Sequence, residues 1–286
     1  MKIKYLHKLH YTYEEPVQLG EHRICIKPRS HGFQRLLDFE FDINPKPSFI
    51  YPLIAASGEE IIRTTFEGFS RELTITSISN VETSKHPNIF ECVRNKDLNL
   101  PFCRNINNRD LQGALEGWLP NGQHDPAAIG FSQEALAGSG NNLLSFVFQL
   151  IEIIQDRVKY TKRHVGPAWP ASRTIRERVG SCRDLAMLMV ESSRSVGIPS
   201  RFVSGYHFEE PPPSSYELHA WAELYIPGAG WRGFDPSGKG LIDERYLTLV
   251  SSSKSNLTAV ITGNFLGKTN LNNNFTWEIK PIQISE

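Results

Sequence analysis

The sequence predicts an α+β protein, and three observations carry that prediction. Strand-like alternation fills residues 1–85, two helical patterns follow near the middle, and short strands return after the second helix. In the first unit, Leu36-Leu37-Asp38-Phe39-Glu40-Phe41-Asp42-Ile43 and Glu72-Leu73-Thr74-Ile75-Thr76-Ser77-Ile78 mostly alternate apolar and polar residues. Turn signals stand at Lys27-Pro28-Arg29-Ser30 and Asn44-Pro45-Lys46-Pro47, so a β-sandwich-like or open-barrel domain is expected here.

From 86 to 141 the pattern weakens. Pro101, Asn105, Asn107, Asn108, Pro120, Asn121 and Gly122 suggest an extended connector with a short helix near 109–117. Gly138-Ser139-Gly140-Asn141-Asn142 reads as a hinge. A helix over 142–156 follows, because Leu143, Phe146, Val147, Leu150, Ile151 and Ile154 recur at i, i+3, i+4 spacing; such a stripe is core. The second helix opens at Ser181, with Asp184 three residues on in a capping-box pattern. Leu185, Leu188, Met189 and Val196 continue its apolar face, and Gly197 with Pro199 ends it. Strands are expected over 201–206, 220–226 and 231–235, and β character returns from 258 to 284 apart from Asn270-Leu271-Asn272-Asn273-Asn274.

Composition excludes several function classes. Thirty-one basic residues balance thirty-one acidic ones, so no global field draws nucleic acid or anionic membrane. No stretch approaches the roughly 18 apolar residues of a membrane span, and Met1-Lys2-Ile3-Lys4-Tyr5-Leu6-His7 lacks a signal-peptide core. Cys25, Cys92, Cys103 and Cys182 show no CxxC pairing, which fits a reducing cytoplasm.

The chemistry concentrates at Cys182, in the first turn of the second helix. Unpaired backbone N–H groups and the positive end of the helix dipole lie there and favour a thiolate. His219 and Asp235 complete a thiol acyl-transfer set: a nucleophile, a proton acceptor and donor, and a carboxylate fixing the imidazole tautomer. The hairpin between them tests the idea. A four-residue loop over 227–230 sets Ile226 against Trp231 and turns Asp235 away from His219. A three-residue loop or a one-residue bulge restores a shared face, with Asp235 reaching His219 diagonally.

Competing readings stand beside these. Cys182 as a buried structural thiol is one, and Asp235 as an Asx-type cap of the turn with Pro236 is another. Asp184 reads as a helix cap that pairs with Arg183 or Arg201, and Glu223 as a solvated or salt-bridged strand residue. Trp221 and Trp231 read as core or cleft wall. His7, His10 and His22 lack the partner pattern of a metal site, and Ser237-Gly238-Lys239-Gly240 lacks the glycine spacing of a phosphate loop. The loop Glu209-Glu210-Pro211-Pro212-Pro213-Ser214-Ser215-Tyr216 reads either as a stiff connector or as an acidic cleft rim favouring basic substrates.

Four segments in order resemble the core of transglutaminase-like proteins. They are Gly180-Ser181-Cys182-Arg183-Asp184-Leu185-Ala186, Val196 to Tyr206, His219-Ala220-Trp221-Ala222-Glu223-Leu224-Tyr225 and Gly228 to Pro236. Tyr11-Thr12-Tyr13-Glu14-Glu15-Pro16-Val17-Gln18-Leu19-Gly20 with Lys27-Pro28-Arg29 is similar to the N-terminal region of the bacterial branch. Ile261-Thr262-Gly263-Asn264-Phe265-Leu266-Gly267 is similar to its closing segment. The resemblance implies a papain-like core with Cys182 as nucleophile, His219 as base and Asp235 as orienter. It implies a protein or peptide substrate and no metal or organic cofactor. It further implies the Cys182 backbone N–H as one oxyanion donor, with Tyr160 or Trp169 expected as the second. The segment after Asp235-Pro236 and the proline-rich 164–171 stretch depart from the family pattern. The expected division is 1–85, an N-terminal β domain; 86–141, a connector; 142–250, a transglutaminase-like catalytic core; and 251–286, strands packing on the first unit. A catalytically inactive peptide-binding or assembly module is the alternative, and a closed cleft at Cys182 would favour it. The motifs leave open whether water or an amine accepts the acyl group, and they do not address oligomeric state.

Overall fold

One 23-residue strand, β1 (Lys2–Ile24), organises the first half of the molecule. The computed structural model describes residues 1–55, 58–93, 99–100, 109–119, 124–238, 240–267 and 275–285; Cys103, Lys239 and most of the connector's Asn and Pro residues lie outside these. The start of β1 pairs antiparallel with β5 (Ser70–Thr83), and its end with β4 (Glu60–Thr65). With β2 (Gln34–Asn44) and β3 (Phe49–Ile54) the order is β2-β5-β1-β4-β3. A strand this long changes neighbours midway, so the sheet curls instead of forming two separate layers.

Within residues 86–141 the short helix expected near 109–117 is present as α2 (Arg109–Glu116), whereas α1 (Ile89–Cys92) and α3 (Pro126–Ser139) stand where an extended connector was expected. Asp125 caps α3 by accepting the Ala127 N–H at 3.0 Å, with Pro126 at the first position. Small residues such as Ala128, Ser132 and Ala135 make its buried face, which blurs the apolar period. The 138–142 hinge is a tight helix-to-helix turn: Gly140 and Asn141 take φ of 60° and 61°. Asn142 then caps α4 (Leu143–Arg157) through the Ser145 N–H. The apolar stripe of α4 is core, with Leu143, Phe146, Val147, Leu150 and Ile154 fully buried.

The second half centres on α6 (Cys182–Ser195) and an antiparallel sheet. Its strands are β8 (Ser200–His207), β9 (Leu218–Ile226), β10 (Gly230–Asp235), β11 (Gly240–Leu241) and β12 (Tyr246–Ser252), in the order β11-β10-β9-β8-β12. Before α6 come β6 (Lys159–Tyr160), α5 (Ala171–Glu177) and β7 (Val179–Gly180), with β6 and β7 paired in parallel. Ala222, Leu224 and Ile226 of β9 and Phe234 of β10 share one core with α3, α4 and α6. Alternation sends His219, Trp221 and Glu223 to the other face. Tyr206 and Leu247 of β8 and β12 belong instead to the core of the curled sheet. A 3₁₀ turn (Ser255–Thr258) leads to β13 (Ile261–Leu266) and β14 (Phe275–Ser285), both paired with β1.

Candidate active site

A cleft of about 510 Å³ runs between the α6–β9 core and the curled sheet, and Cys182 lies in its wall. Cys182 is the first helical residue of α6, after an extended Ser181. The start of the helix is held from below by Asp184, which is fully buried. One Asp184 oxygen accepts the Ser181 N–H and Oγ, both at 2.8 Å. The other accepts Arg163 Nη2 at 2.6 Å and the Trp169 backbone N–H at 2.7 Å. A buried carboxylate needs such donors. Its cation is therefore Arg163 and not Arg183 or Arg201. Arg183 donates instead to the Gly166 and Arg163 carbonyl oxygens, and Arg201 pairs with Glu223 at 2.5 Å.

The β9–β10 hairpin settles the register question. Ile226 faces Gly230, so the loop has three residues and Asp235 shares a face with His219. His219 Nε2 lies 2.7 Å from Asp235 Oδ2, which leaves Nδ1 as the ring nitrogen available to the thiol. Asp235 divides its two oxygens. Oδ1 caps the turn by accepting the Ser237 N–H at 2.9 Å and Oγ at 2.6 Å. Oδ2 takes His219 and the Tyr246 hydroxyl, the latter at 2.9 Å. Turn cap and histidine partner are thus both present, one per oxygen. The unusual Ser237-Gly238 segment has a reason: a Cβ at Gly238 would stand 2.7 Å from Asp235 Oδ2. Gln155 of α4 fastens this turn through the Pro236 and Gly238 carbonyls, at 3.2 and 2.9 Å.

These neighbours set the charges. Burial pushes the Cys182 thiol up, but hydrogen bonds from His219 and the Ala220 N–H, with the His219 charge, outweigh it and hold the thiol below its ordinary value. Burial lowers His219, yet Asp235 and the thiol together raise it to about 10. Burial raises Asp235, and His219 and Ser237 bring it down to about 2. Both shifts run in the direction of a thiolate beside an imidazolium. By contrast, burial pushes Cys25 up to about 11.

Of the two side chains considered as oxyanion donors, Tyr160 lines the cleft and Trp169 does not. The Trp169 ring lies between the Arg163 and Arg173 guanidiniums, at 4.8 and 3.9 Å, as part of the clamp below α6. Glu209 of the proline-rich loop and Glu217 just after it line the cleft, and Glu217 pairs with Lys162 and His164 at 3.5 Å each. His7, His10 and His22 bond separately, to Tyr206, Thr74 and the Gly20 carbonyl. Among the described residues no cluster of potential metal ligands occurs, and no helix is long and apolar enough to cross a membrane. Sequence reasoning missed Tyr246 and His207. His207 lines the cleft and stacks on Tyr246 at 4.1 Å, and neither carries a local motif.

Fold and cleft define a papain-like α+β core with a thiol at a helix start. Residues 130–236 match the transglutaminase-like superfamily, and residues 3–82 match the bacterial transglutaminase-like N-terminal region. The chain therefore joins a transglutaminase-like core to that N-terminal region. A candidate cysteine protease from Cytophaga hutchinsonii has the same fold, with a TM-score of 0.73 at 21% identity over 100% of this chain and 93% of its own. An uncharacterized protein of Mycobacterium tuberculosis is 25% identical over 263 residues, 87% of this chain and 82% of its own. A protein-glutamine gamma-glutamyltransferase of Pseudomonas aeruginosa is 36% identical over 67 residues, 21% of this chain and 10% of its own.

Proposed function

We propose that this protein is a cysteine-dependent enzyme that transfers or hydrolyses acyl groups at the carboxamide or peptide bonds of a protein or peptide. The single observation carrying the proposal is the 2.7 Å His219–Asp235 contact beside a thiol at a helix start in an open cleft. In this reading the Cys182 thiolate attacks the carbonyl carbon. The oxyanion forms against the Cys182 backbone N–H and the Tyr160 hydroxyl. His219 gives its proton to the departing ammonia or amine, and a thioester remains on Cys182. His219, now neutral, takes a proton from water or from an acceptor amine as either one attacks the thioester. The free acid or the new amide leaves, and Cys182 returns to the thiolate. Asp235 keeps the imidazole oriented throughout and stabilises its charged form whenever it holds the proton. The superfamily match and the glutamyltransferase segment support acyl chemistry of this kind.

Intact-mass analysis after iodoacetamide at neutral pH tests the nucleophile, with the expected adduct at Cys182. Labelling confined to Cys25, Cys92 or Cys103 would refute the assignment. Incubating a glutaminyl peptide with and without a primary amine then separates hydrolysis from transfer. An open cleft disfavours the inactive binding module.

A further inference from the structure

The cleft extends well beyond Cys182, and its far part differs chemically from the part around the thiol. Leu9 of β1, Val260, Ile261 of β13, and Phe275 and Trp277 of β14 line it. Phe275 and Trp277 lie on the same face of β14, stacked at 5.7 Å, and each pairs across to β1, Phe275 with Tyr11 and Trp277 with Leu9. They are partly buried against the curled-sheet core, so one side of each remains open to the cleft. His164 leans on the Trp277 ring at 5.4 Å and continues the wall towards the loop below α6.

Apart from Glu209, which also lines the cleft, the rim charges beside this wall answer one another. Glu217 meets Lys162 and His164, Arg163 meets Asp184, and Arg183 meets carbonyl oxygens. Ion pairing of this sort leaves the aromatic wall as the recognition surface at this end. A concave, largely apolar pocket continuous with a nucleophile selects an apolar group on the molecule that the nucleophile attacks.

The geometry points to the Phe275–Trp277 wall as a substrate-specificity subsite that takes an aromatic or large aliphatic side chain flanking the reacting amide of the acyl-donor peptide. This rests on the acyl-transfer reading of Cys182. It assigns the C-terminal strand a part in substrate choice and predicts discrimination by side-chain bulk over charge.

Peptidyl chloromethyl ketones test it, since Cys182 Sγ displaces chloride and forms a thioether whether the natural acceptor is water or an amine. Three probes differ only in a flanking residue: phenylalanine, glycine or lysine. The expected rate of Cys182 labelling is at least about tenfold higher for the phenylalanine probe than for the glycine probe. In Trp277→Ala that ratio falls towards one, and Trp277→Phe restores most of it. Equal rates for phenylalanine and glycine, or a faster lysine probe, would overturn the subsite. Failure of the acyl-transfer reading looks different, because then no probe, iodoacetamide included, labels Cys182. A second measurement covers that case. Anisotropy of a fluorescent phenylalanine-flanked peptide on Cys182→Ala reads the wall without chemistry. Binding at least about tenfold tighter than that of the glycine peptide, lost in Cys182→Ala/Trp277→Ala, supports the subsite, and equal binding refutes it.

Discussion

Strand β9 carries two ion pairs with buried carboxylates on one face, separated by the fully buried Trp221. His219 binds Asp235 across to β10, and Glu223 binds Arg201 directly opposite on β8. Both carboxylates are buried, and both are held below the usual carboxylate range by their cations against the opposing effect of burial. The difference lies in the cation. Arg201 is roofed by Trp231 and Trp118, at 4.3 and 5.5 Å, and a guanidinium does not give up its proton. His219 opens on the cleft and touches a thiol. The same cross-strand device is a fixed clamp in one place and, in the proposed reaction, a carrier of a movable proton in the other.

Separate readouts can break that contrast. His219→Ala should lower turnover of a glutaminyl peptide by about 10³-fold or more in the folded fraction, beside the stability lost with the Asp235 pair. Glu223→Ala should affect stability alone. It strands the Arg201 charge and costs about 3–5 kcal/mol in urea unfolding, with turnover of the folded fraction retained. If both variants lost stability alike and turnover alike, the two pairs would not differ in kind. Tyr246→Phe removes one donor from Asp235 Oδ2, so kcat should fall about tenfold with KM unchanged. A purely structural Tyr246 would lower the melting temperature and leave kcat alone.

The smallest effect is one of pH. His219 is raised to about 10, so its charge, and the stability that charge contributes, is complete below 6.5 and lost as pH rises through about 10. Asp235 is depressed to about 2, so its contribution is present above 3.8 and lost as pH falls to about 2. The upper limb of kcat/KM should therefore lie near 10 and move down towards 6.5 in Asp235→Asn. An unmoved limb in that variant would remove Asp235 from the proton's control.

Much of this was legible where local rules dominate. Ser181, Asp184 and the apolar period defined α6, and facing parity required a three-residue loop or a one-residue bulge, of which the hairpin has the loop. Legibility failed where packing supplied the logic. Helix α3 hides its period behind small buried residues. Arg163 as the partner of Asp184, and Tyr246 as a donor to Asp235, join residues 21 and 11 positions apart that no spacing rule connects.

Strand β14 carries one further consequence, in the timing of assembly. Lys2 pairs with Ser285, so one edge of β1 has no partner until nearly the whole described chain has been synthesised. Cys182, His219 and Asp235 emerge earlier, and the Phe275–Trp277 wall follows them. While the chain is still being made, β1 offers an open edge beside Ile3, Tyr5 and Leu9 with β5 alone to cover its other side. The nascent protein thus acquires its reactive groups before the surface that would choose what they act on.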